Sequence, residues 1–471
     1  MNRSPALGEA DAQRRASKPA LFGWLLFDFA HQPFYTLIQT FLFAPYFATA
    51  VVSDPEKGQA LWGYAAAAAG LVVAIGSPIL GAIADTGMRR KPWIIVFGAI
   101  FVLGLATLWI ATPNLSGLSF LLVLVAYAAA FSAAEFAAVF SNAIMPTLAP
   151  KSELGRLSGL GWGLGYAGGL VALLLVAGLI VTDPASGKTL LGIAPLLKLD
   201  VAARESDRLV GPLSAAWYIL FILPFFLFVP DRATGRAHVA TGLGSTIGSA
   251  IDRLKATISD MVRNHRSILF LLLSRVLYSD GLAAIFVFGG IYGTAVFEWR
   301  TFDLGLFGII LSFAGAIGAI AGGWMDDRLG AKTVIMASLV ILLAGVLGIL
   351  SVDKTHVLFA VEIVPKAAGS APFSSAGEKV YLAFAILIGL VAAPVQAAAR
   401  SLLARLAPPD KVTQYFGLFA FSGKATAFLA PLMIAVVTQA TGSMRWGVAI
   451  IAAFLVSGLV LMMPVREDGR G

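Results

Sequence analysis

The sequence predicts an all-α polytopic membrane protein of twelve transmembrane helices in two pseudo-symmetric six-helix bundles, with N and C termini in the cytoplasm. Three observations carry that prediction. The 471 residues are 58% apolar and 13% charged, against about 25% charged in soluble domains. Twelve apolar runs approach or exceed the about 20 residues a bilayer requires. They are spans 1 to 12, at roughly 21–51, 60–84, 92–111, 117–145, 157–181, 213–229, 268–296, 304–325, 333–351, 379–405, 412–438 and 445–464. The halves also repeat: a shift of 242 lays Gly63 on Gly305, Gly76 on Gly318, Gly81 on Gly323, Asp85 on Asp327 and Arg90 on Lys332. The runs are continuous, which excludes the short alternating segments of a β-barrel.

Charge sets the orientation. The N-terminal side, the even connections and the C-terminal tail hold 21 Lys and Arg, and the odd connections hold 10. By the positive-inside rule both termini are cytoplasmic. The net charge of +8 is therefore a topology signal, and no nucleic-acid partner is expected. The first run is too long for a signal-peptide core and carries Asp28. There is no cysteine, and His31, His238, His265 and His356 lack ligand spacing, so neither a metal nor a cofactor is expected.

The domains expected are a tail (1–20), a first bundle (21–229), a linker (230–266), a second bundle (267–465) and a C-terminal tail (466–471). In span 1 Asp28 and His31 share a helical face with i,i+3 spacing, and Pro33 and Pro45 interrupt the backbone ladder. Span 4 carries Glu135 and Asn142. Span 5 contains Gly163-x-Gly165-x-x-Gly168, a dinucleotide fingerprint as a string, but no strand precedes it. The same stretch reads as overlapping small-residue packing through Gly161, Gly165 and Gly169. In the linker, Ile251, Leu254, Ile258, Met261 and Val262 fall on one helical face among basic residues, which predicts an amphipathic helix on the inner membrane surface. Span 7 carries Arg275 and Asp280, five apart and so on different faces, each needing a partner on another helix. The loop 352–378 is rich in Gly, Ser, Pro and Ala, which predicts flexibility.

After spans 2 and 8 stand Gly81-Ala-Ile-Ala-Asp85-Thr-Gly87-Met-Arg89-Arg90 and Gly323-Trp-Met-Asp326-Asp327-Arg328-Leu-Gly330-Ala-Lys332. Both resemble the loop signature of the major facilitator superfamily, the first departing in the place of Gly87. Physically, the glycines permit close helix approach, and an aspartate at a helix end beside arginines can form a latch. The expected cytoplasmic gate is Gly81, Asp85, Arg89, Arg90, Gly323, Asp327, Arg328 and Lys332.

Spans 10 and 11 read Gln396-Ala-Ala-Ala-Arg400-Ser401, Phe416-Gly417 and Ser422-Gly423-Lys424-Ala, with Ala430-Pro431. Together with Asp28-Phe-Ala, Asn142 to Pro146, Gly165-Tyr-Ala-Gly-Gly and Tyr278-Ser-Asp280-Gly, they resemble the vacuole-effluxer-like family of that superfamily. The chain departs at His31-Gln32, where the family usually has asparagine and serine. A shift of 258 lays Gly159 on Gly417, Asn142 on Arg400, Tyr166 on Lys424 and Glu135 on Ala393, making spans 10 and 11 a second copy of spans 4 and 5.

The resemblance implies a secondary transporter, with spans 1, 4, 7 and 10 around a central polar pathway. Charge in hydrocarbon costs several kcal/mol and so needs a reason (about 2.5–3.5 by insertion scales). The substrate-binding residues expected are Asp28, His31, Tyr35, Glu135, Asn142, Tyr166, Arg275, Asp280, Gln396, Arg400 and Lys424, with Asp28, Glu135 and Asp280 as proton carriers. Arg400, near the cytoplasmic end, can alternatively snorkel. The solute expected is small, polar or zwitterionic, an amino acid or related compound by family analogy, moved by alternating access. The remaining expectations are proton coupling, contact with membrane lipids, a monomer and a bacterial inner membrane. No HExxH, GxSxG or His/Asp/Ser cluster argues for an enzyme. A non-transporting receptor or scaffold on the same fold is the alternative.

Overall fold

The computed structural model describes residues 15–85, 89–182, 187–231, 243–299, 301–367 and 370–467. Gly87 and His238 lie outside the described residues. Eleven helices among those described are long and apolar enough to cross a bilayer. They are spans 1 (Lys18–Val51), 2 (Glu56–Ala84), 3 (Lys91–Ile110), 4 (Gly117–Thr147), 5 (Lys151–Leu179), 6 (Glu205–Phe228), 7 (Arg266–Phe297), 8 (Asp303–Leu329), 9 (Ala331–Leu350), 10 (Ala376–Leu406) and 12 (Met444–Met462).

Span 11 differs from its expected single run. It is two helices, Val412–Ser422 and Leu429–Thr441. Between them the Lys424 and Ala425 N–H groups both donate to the Phe421 carbonyl, and Leu429 N–H donates to Thr426 O. Lys424, Ala427 and Leu429 thus donate three residues back, where the regular ladder runs from i to i−4. The break falls on the polar stretch Ser422-Gly423-Lys424-Ala425-Thr426, which the single expected run crosses.

Helix starts follow local chemistry. Asp54 accepts from Lys57 N–H at 3.1 Å before Pro55 opens span 2. Ser375 and Glu378 form a reciprocal capping box at span 10. Span 1 is α-helical over Lys18–Pro33 and then π-helical over Phe34–Phe41 and again over Phe47–Val51. The first π stretch follows Pro33, which has no N–H to give the ladder.

The chain forms two compact units. The first comprises Met1–Pro150, Leu164–Leu254 and Pro409–Ala420, and the second Lys151–Gly163, Lys255–Pro408 and Phe421–Gly471. Within the first, span 1 packs on 6, span 3 on 4 and 6, and span 2 on 4. Within the second, span 7 packs on 12, span 9 on 10 and 12, and span 8 on 10. Each pairing in one unit therefore has its counterpart six spans later in the other, which is the sequence repeat expressed as packing.

The linker holds a helix, Leu243–Asn264. Met261 on it is buried, whereas Ile251, Ile258 and Val262 are exposed. The loop after span 9 holds a short hairpin. His356–Val357 pairs antiparallel with Val361–Glu362, and Lys366 Nζ donates to the buried Glu378 at 2.6 Å.

Candidate functional site

Two groups of polar side chains stand out, one at the helix ends after spans 2 and 8, the other inside the spans. The first group is a pair of matched latches. In the first unit Asp85 accepts from the backbone N–H groups of Thr413 and Gln414, at 3.2 and 2.7 Å. In the second unit Asp327 accepts from the N–H groups of Gly155 and Arg156, at 2.9 and 3.1 Å. Thr413 and Gln414 are the residues that the 258 shift lays on Gly155 and Arg156, so the two latches are the same device twice. Each carboxylate sits on the otherwise unpaired N–H groups that open a helix, where the helix dipole favours an anion.

The glycines make these approaches possible. A side chain on Gly81 would run into the backbone of Thr413 and Gln414, and one on Gly323 into the backbone of Gly155 and Gly159. Arg90 completes the first latch, with Nε donating to Thr413 Oγ1 at 3.0 Å and Nη2 lying 3.8 Å from Asp85. Burial pushes the Asp85 carboxyl up from its ordinary range, opposed by the Thr413 and Gln414 donors and by Arg90. Burial likewise lowers Arg90, opposed by Asp85 and Asp231.

Residues that sequence reasoning passed over complete the second latch. Arg405 Nη1 lies 2.6 Å from Asp326 and 2.9 Å from Glu467, and its Nη2 lies 3.4 Å from Asp327. Ser401 Oγ also bonds Asp326. Glu467 in turn accepts from the N–H groups of Ala331 and Lys332, and Asp231 does the same for Arg90 and Lys91. Lys332 spends its ammonium on Met463 O at 2.7 Å. Two expected gate residues stand apart: Arg89 is exposed, and Arg328 lies over the Trp324 ring at 3.4 Å. The visible signal for the missed residues was the Asp326-Asp327 doublet, which called for more cation than Arg328 alone.

Inside the first unit, Tyr35 Oη donates to Glu135 Oε1 at 3.3 Å, and Gln39 Nε2 donates to Tyr127 Oη at 3.1 Å. Tyr35 and Gln39 both lie on the π-helical stretch, a local distortion that frequently marks functional positions. The Tyr127 ring stacks on Trp62 at 3.9 Å. Asp28 is half-buried, and Gly165 of span 5 lies against it and Gln32. Asn142 and Tyr166 are half-buried on their helices. His31 has a different setting from Asp28. It is buried, its Nδ1 pairs with Phe27 O at 2.9 Å, and its ring is enclosed by Phe27, Phe101 and Tyr218.

Inside the second unit, Arg275 and Asp280 attend the two sides of the break in span 11. Arg275 Nη1 donates to Ser422 Oγ at 3.0 Å, and its guanidinium fills the space a side chain on Gly423 would need. It thus places positive charge at the carbonyl end of the half-helix Val412–Ser422. Asp280, buried, lies by Thr426, ahead of the N–H end of Leu429–Thr441. Two charges five residues apart on one helix thus stand at the two sides of the break, Arg275 at Ser422 and Asp280 by Thr426. Lys424 sits half-buried in the break itself. Asp280 Oδ2 and Gln396 Oε1 have no hydrogen-bond partner among the described residues.

Arg400 is buried and does not snorkel. Its Nε donates to Ser158 Oγ at 2.8 Å, its Nη2 to Ser158 O at 2.7 Å, and Ser158 Oγ itself donates to Ala397 O. This ties span 10 to the start of span 5 within the second unit. Among the described residues no group of three or more His, Asp or Glu is arranged to hold a metal ion.

Comparison with known proteins bears on the family and the fold. The sequence profile described as "Vacuole effluxer Atg22 like" matches residues 59–470. The chain is 26% identical over 463 residues, covering 94% of both chains, to the uncharacterized MFS-type transporter YxiO of Bacillus subtilis (strain 168). It is 26% identical over 320 residues to autophagy-related protein 22 of Cryptococcus neoformans var. neoformans serotype D (strain JEC21 / ATCC MYA-565), covering 67% of this chain and 50% of that one. Thus the match spans about half the fungal relative's length. Among solved structures, the human organic anion transporter MFSD10 aligns with a TM-score of 0.69 at 14% identity, over 95% of this chain and 99% of that one. The transporter FucP in its outward conformation aligns at 0.66 and 16% identity, over 96% and 99%. At such identities these two likenesses establish the fold alone.

Proposed function

Since the chain belongs to the vacuole effluxer Atg22-like family of major facilitator transporters and is a membrane transporter rather than an enzyme, we propose that its cargo is a small zwitterionic or polar organic solute. An amino acid or a near relative is the reading nearest to the family. Movement is by alternating access, coupled to protons, in a bacterial inner membrane. The observation that carries the reading is the retention of Asp28 and Glu135 within the spans of one unit and of Arg275, Asp280 and Lys424 within those of the other.

The roles follow from the contacts. Arg275 and Lys424 take the solute's carboxylate, and Asp280 takes a proton or the solute's ammonium group. These groups hold or occupy the break in span 11, so their rearrangement by a bound carboxylate or proton is felt at once by that helix. Asp28 and Glu135 are the remaining proton carriers, and Tyr35 follows the state of Glu135 through their hydrogen bond. Asn142, Tyr166 and Gln396 supply neutral hydrogen bonds. His31 and Arg400, engaged as described, contribute structure.

The test is solute flux in proteoliposomes, with the solute class found first by a thermal-shift screen of amino acids, peptides, sugars and organic acids across pH. Arg275→Ala is expected to lower flux at least tenfold, and Asp280→Asn to remove its pH dependence. If both variants retain wild-type flux and pH profile, the intramembrane charges do not carry transport.

A further inference from the structure

The connection between spans 5 and 6 exposes an unusual amount of apolar surface. Leu190, Leu191, Ile193, Leu196, Leu197 and Val201 are all between 42% and 67% exposed. On a segment standing in water, six such side chains would forfeit a large part of the gain from burial.

The segment does not stand clear of the helix it follows. Leu190 N–H donates to Ala177 O at 3.0 Å and Leu196 N–H to Leu179 O at 2.8 Å, both within span 5. A turn closed by Thr189 N–H to Ile193 O, with Gly192 at φ +73°, folds the strip back along that last helical turn. Leu191 then lies against Gly178. Val171, Leu174 and Leu175 form an exposed apolar stripe on span 5, and Gly178 is its next position, one helical turn on. Leu191 thus supplies from the loop the side chain that the helix lacks there, and the lipid-facing stripe continues without a gap.

We propose that residues 187–201 are a membrane-interface segment, seated in the headgroup and upper acyl region of the bilayer leaflet at the end of span 5. Lys188 and Lys198 flank the stretch from Leu190 to Leu197, the basic-and-apolar composition of an interfacial segment. Beyond the segment the chain meets other helices of the same unit. Arg204 lies over the Tyr46 ring of span 1 at 5.3 Å, and Arg208, in the first turn of span 6, donates to Trp109 O of span 3 at 2.8 Å. The strip thus runs from the end of span 5 to a point where the chain is held by spans 1 and 3.

The absence of cysteine allows a clean test in the full chain. Leu191→Cys and Leu196→Cys, with Leu197→Cys as a replacement for either that reconstitutes poorly, are spin-labelled in liposomes. Collisional relaxation by oxygen and by a water-soluble nickel chelate is compared with Leu174→Cys on span 5 and Lys354→Cys in the opposite unit's loop. The expected result is an oxygen-to-nickel accessibility ratio several-fold above that of Lys354→Cys and shifted toward that of Leu174→Cys. A ratio equal to that of Lys354→Cys would place the strip in water and overturn the proposal. Exclusion of both reagents would overturn it too, by showing a protein surface, such as a second copy, in place of lipid.

Discussion

The two latches share a backbone and differ in their ions. Asp85 and Asp327 each hold two N–H groups at the start of a helix, in positions related by the repeat. Beside Asp85 stands Arg90, at 3.8 Å. Around Asp327, Arg405 gathers three acids at once, Asp326, Asp327 and Glu467. In the repeat register the first half has Ala84 where the second has Asp326, Ala143 for Ser401 and Thr147 for Arg405. The difference teaches that duplication kept the part of the device that addresses the main chain and let the surrounding charges diverge. A carboxylate on paired amides is set by helix geometry, whereas an ionic cluster is one of many ways to neutralise it.

The comparison can be broken most directly at Arg405. Arg405→Ala leaves three acids facing one another, two of their side chains under 14% exposed, and breaking a buried pair costs about 3–5 kcal/mol. Arg90→Ala, which leaves Asp85 its two N–H donors, is expected to cost about 1–3 kcal/mol. Thermal unfolding of the two purified variants, followed by tryptophan fluorescence, orders them. Equal losses would mean that the ionic cluster adds nothing to the second latch.

A smaller effect is expected in the pH response. With its carboxyl raised by burial, Asp85 binds a proton more tightly in the folded protein than in the unfolded chain. Its contribution is therefore fully present below the ordinary Asp range near pH ~4 and is lost as pH rises through the raised value. Asp85→Asn should remove that part of the decline, so the melting temperatures of variant and wild type should draw closer below the window and separate above it. A constant difference across pH 4 to 8 would show that Asp85 does not titrate in the latch.

The smallest effect is expected at Asp353, in the loop after span 9. Burial works against it, but the N–H groups of Thr355 and His356, the Thr355 hydroxyl and Arg445 together hold its carboxyl down to about 2. A depressed carboxyl stabilises above the ordinary Asp range and loses that contribution only as pH falls through about 2. The contact is surface-exposed, so Arg445→Ala should cost about 1 kcal/mol or less. Its melting temperature should stay parallel to wild type from pH 5 to 8.

The fold and the latch aspartates were legible because each is written locally. Apolar runs reveal spans, and a fixed shift aligns Asp85 with Asp327 and Gly81 with Gly323. The partners were less so. Arg405 lies 79 residues from Asp326 and 62 from Glu467, and no local pattern pairs residues so far apart. His31 looked like a companion of Asp28 by spacing, yet the rings of Phe27, Phe101 and Tyr218 claim it, a choice made by neighbouring helices. The break in span 11 was obscured because the polar stretch Ser422-Gly423-Lys424 lies between two apolar segments too short to be counted as separate spans. Lys424 and the charges on span 7 were the clues to it, and they made sense only once both half-helix ends were in view.

The π-helical stretch Phe34–Phe41 has a consequence for how span 1 tolerates change in length. A wider turn amounts to one residue carried beyond the α-helical count. Deleting a single residue within it would restore the ordinary ladder while leaving the two ends of the span facing as they do. Tyr46, whose hydroxyl bonds Ala111 O, would keep its seat, as would Trp24 and Asp28 before the stretch. The stretch acts as slack that takes up one surplus residue, so a one-residue deletion there should be tolerated better than one in the regular helix before it.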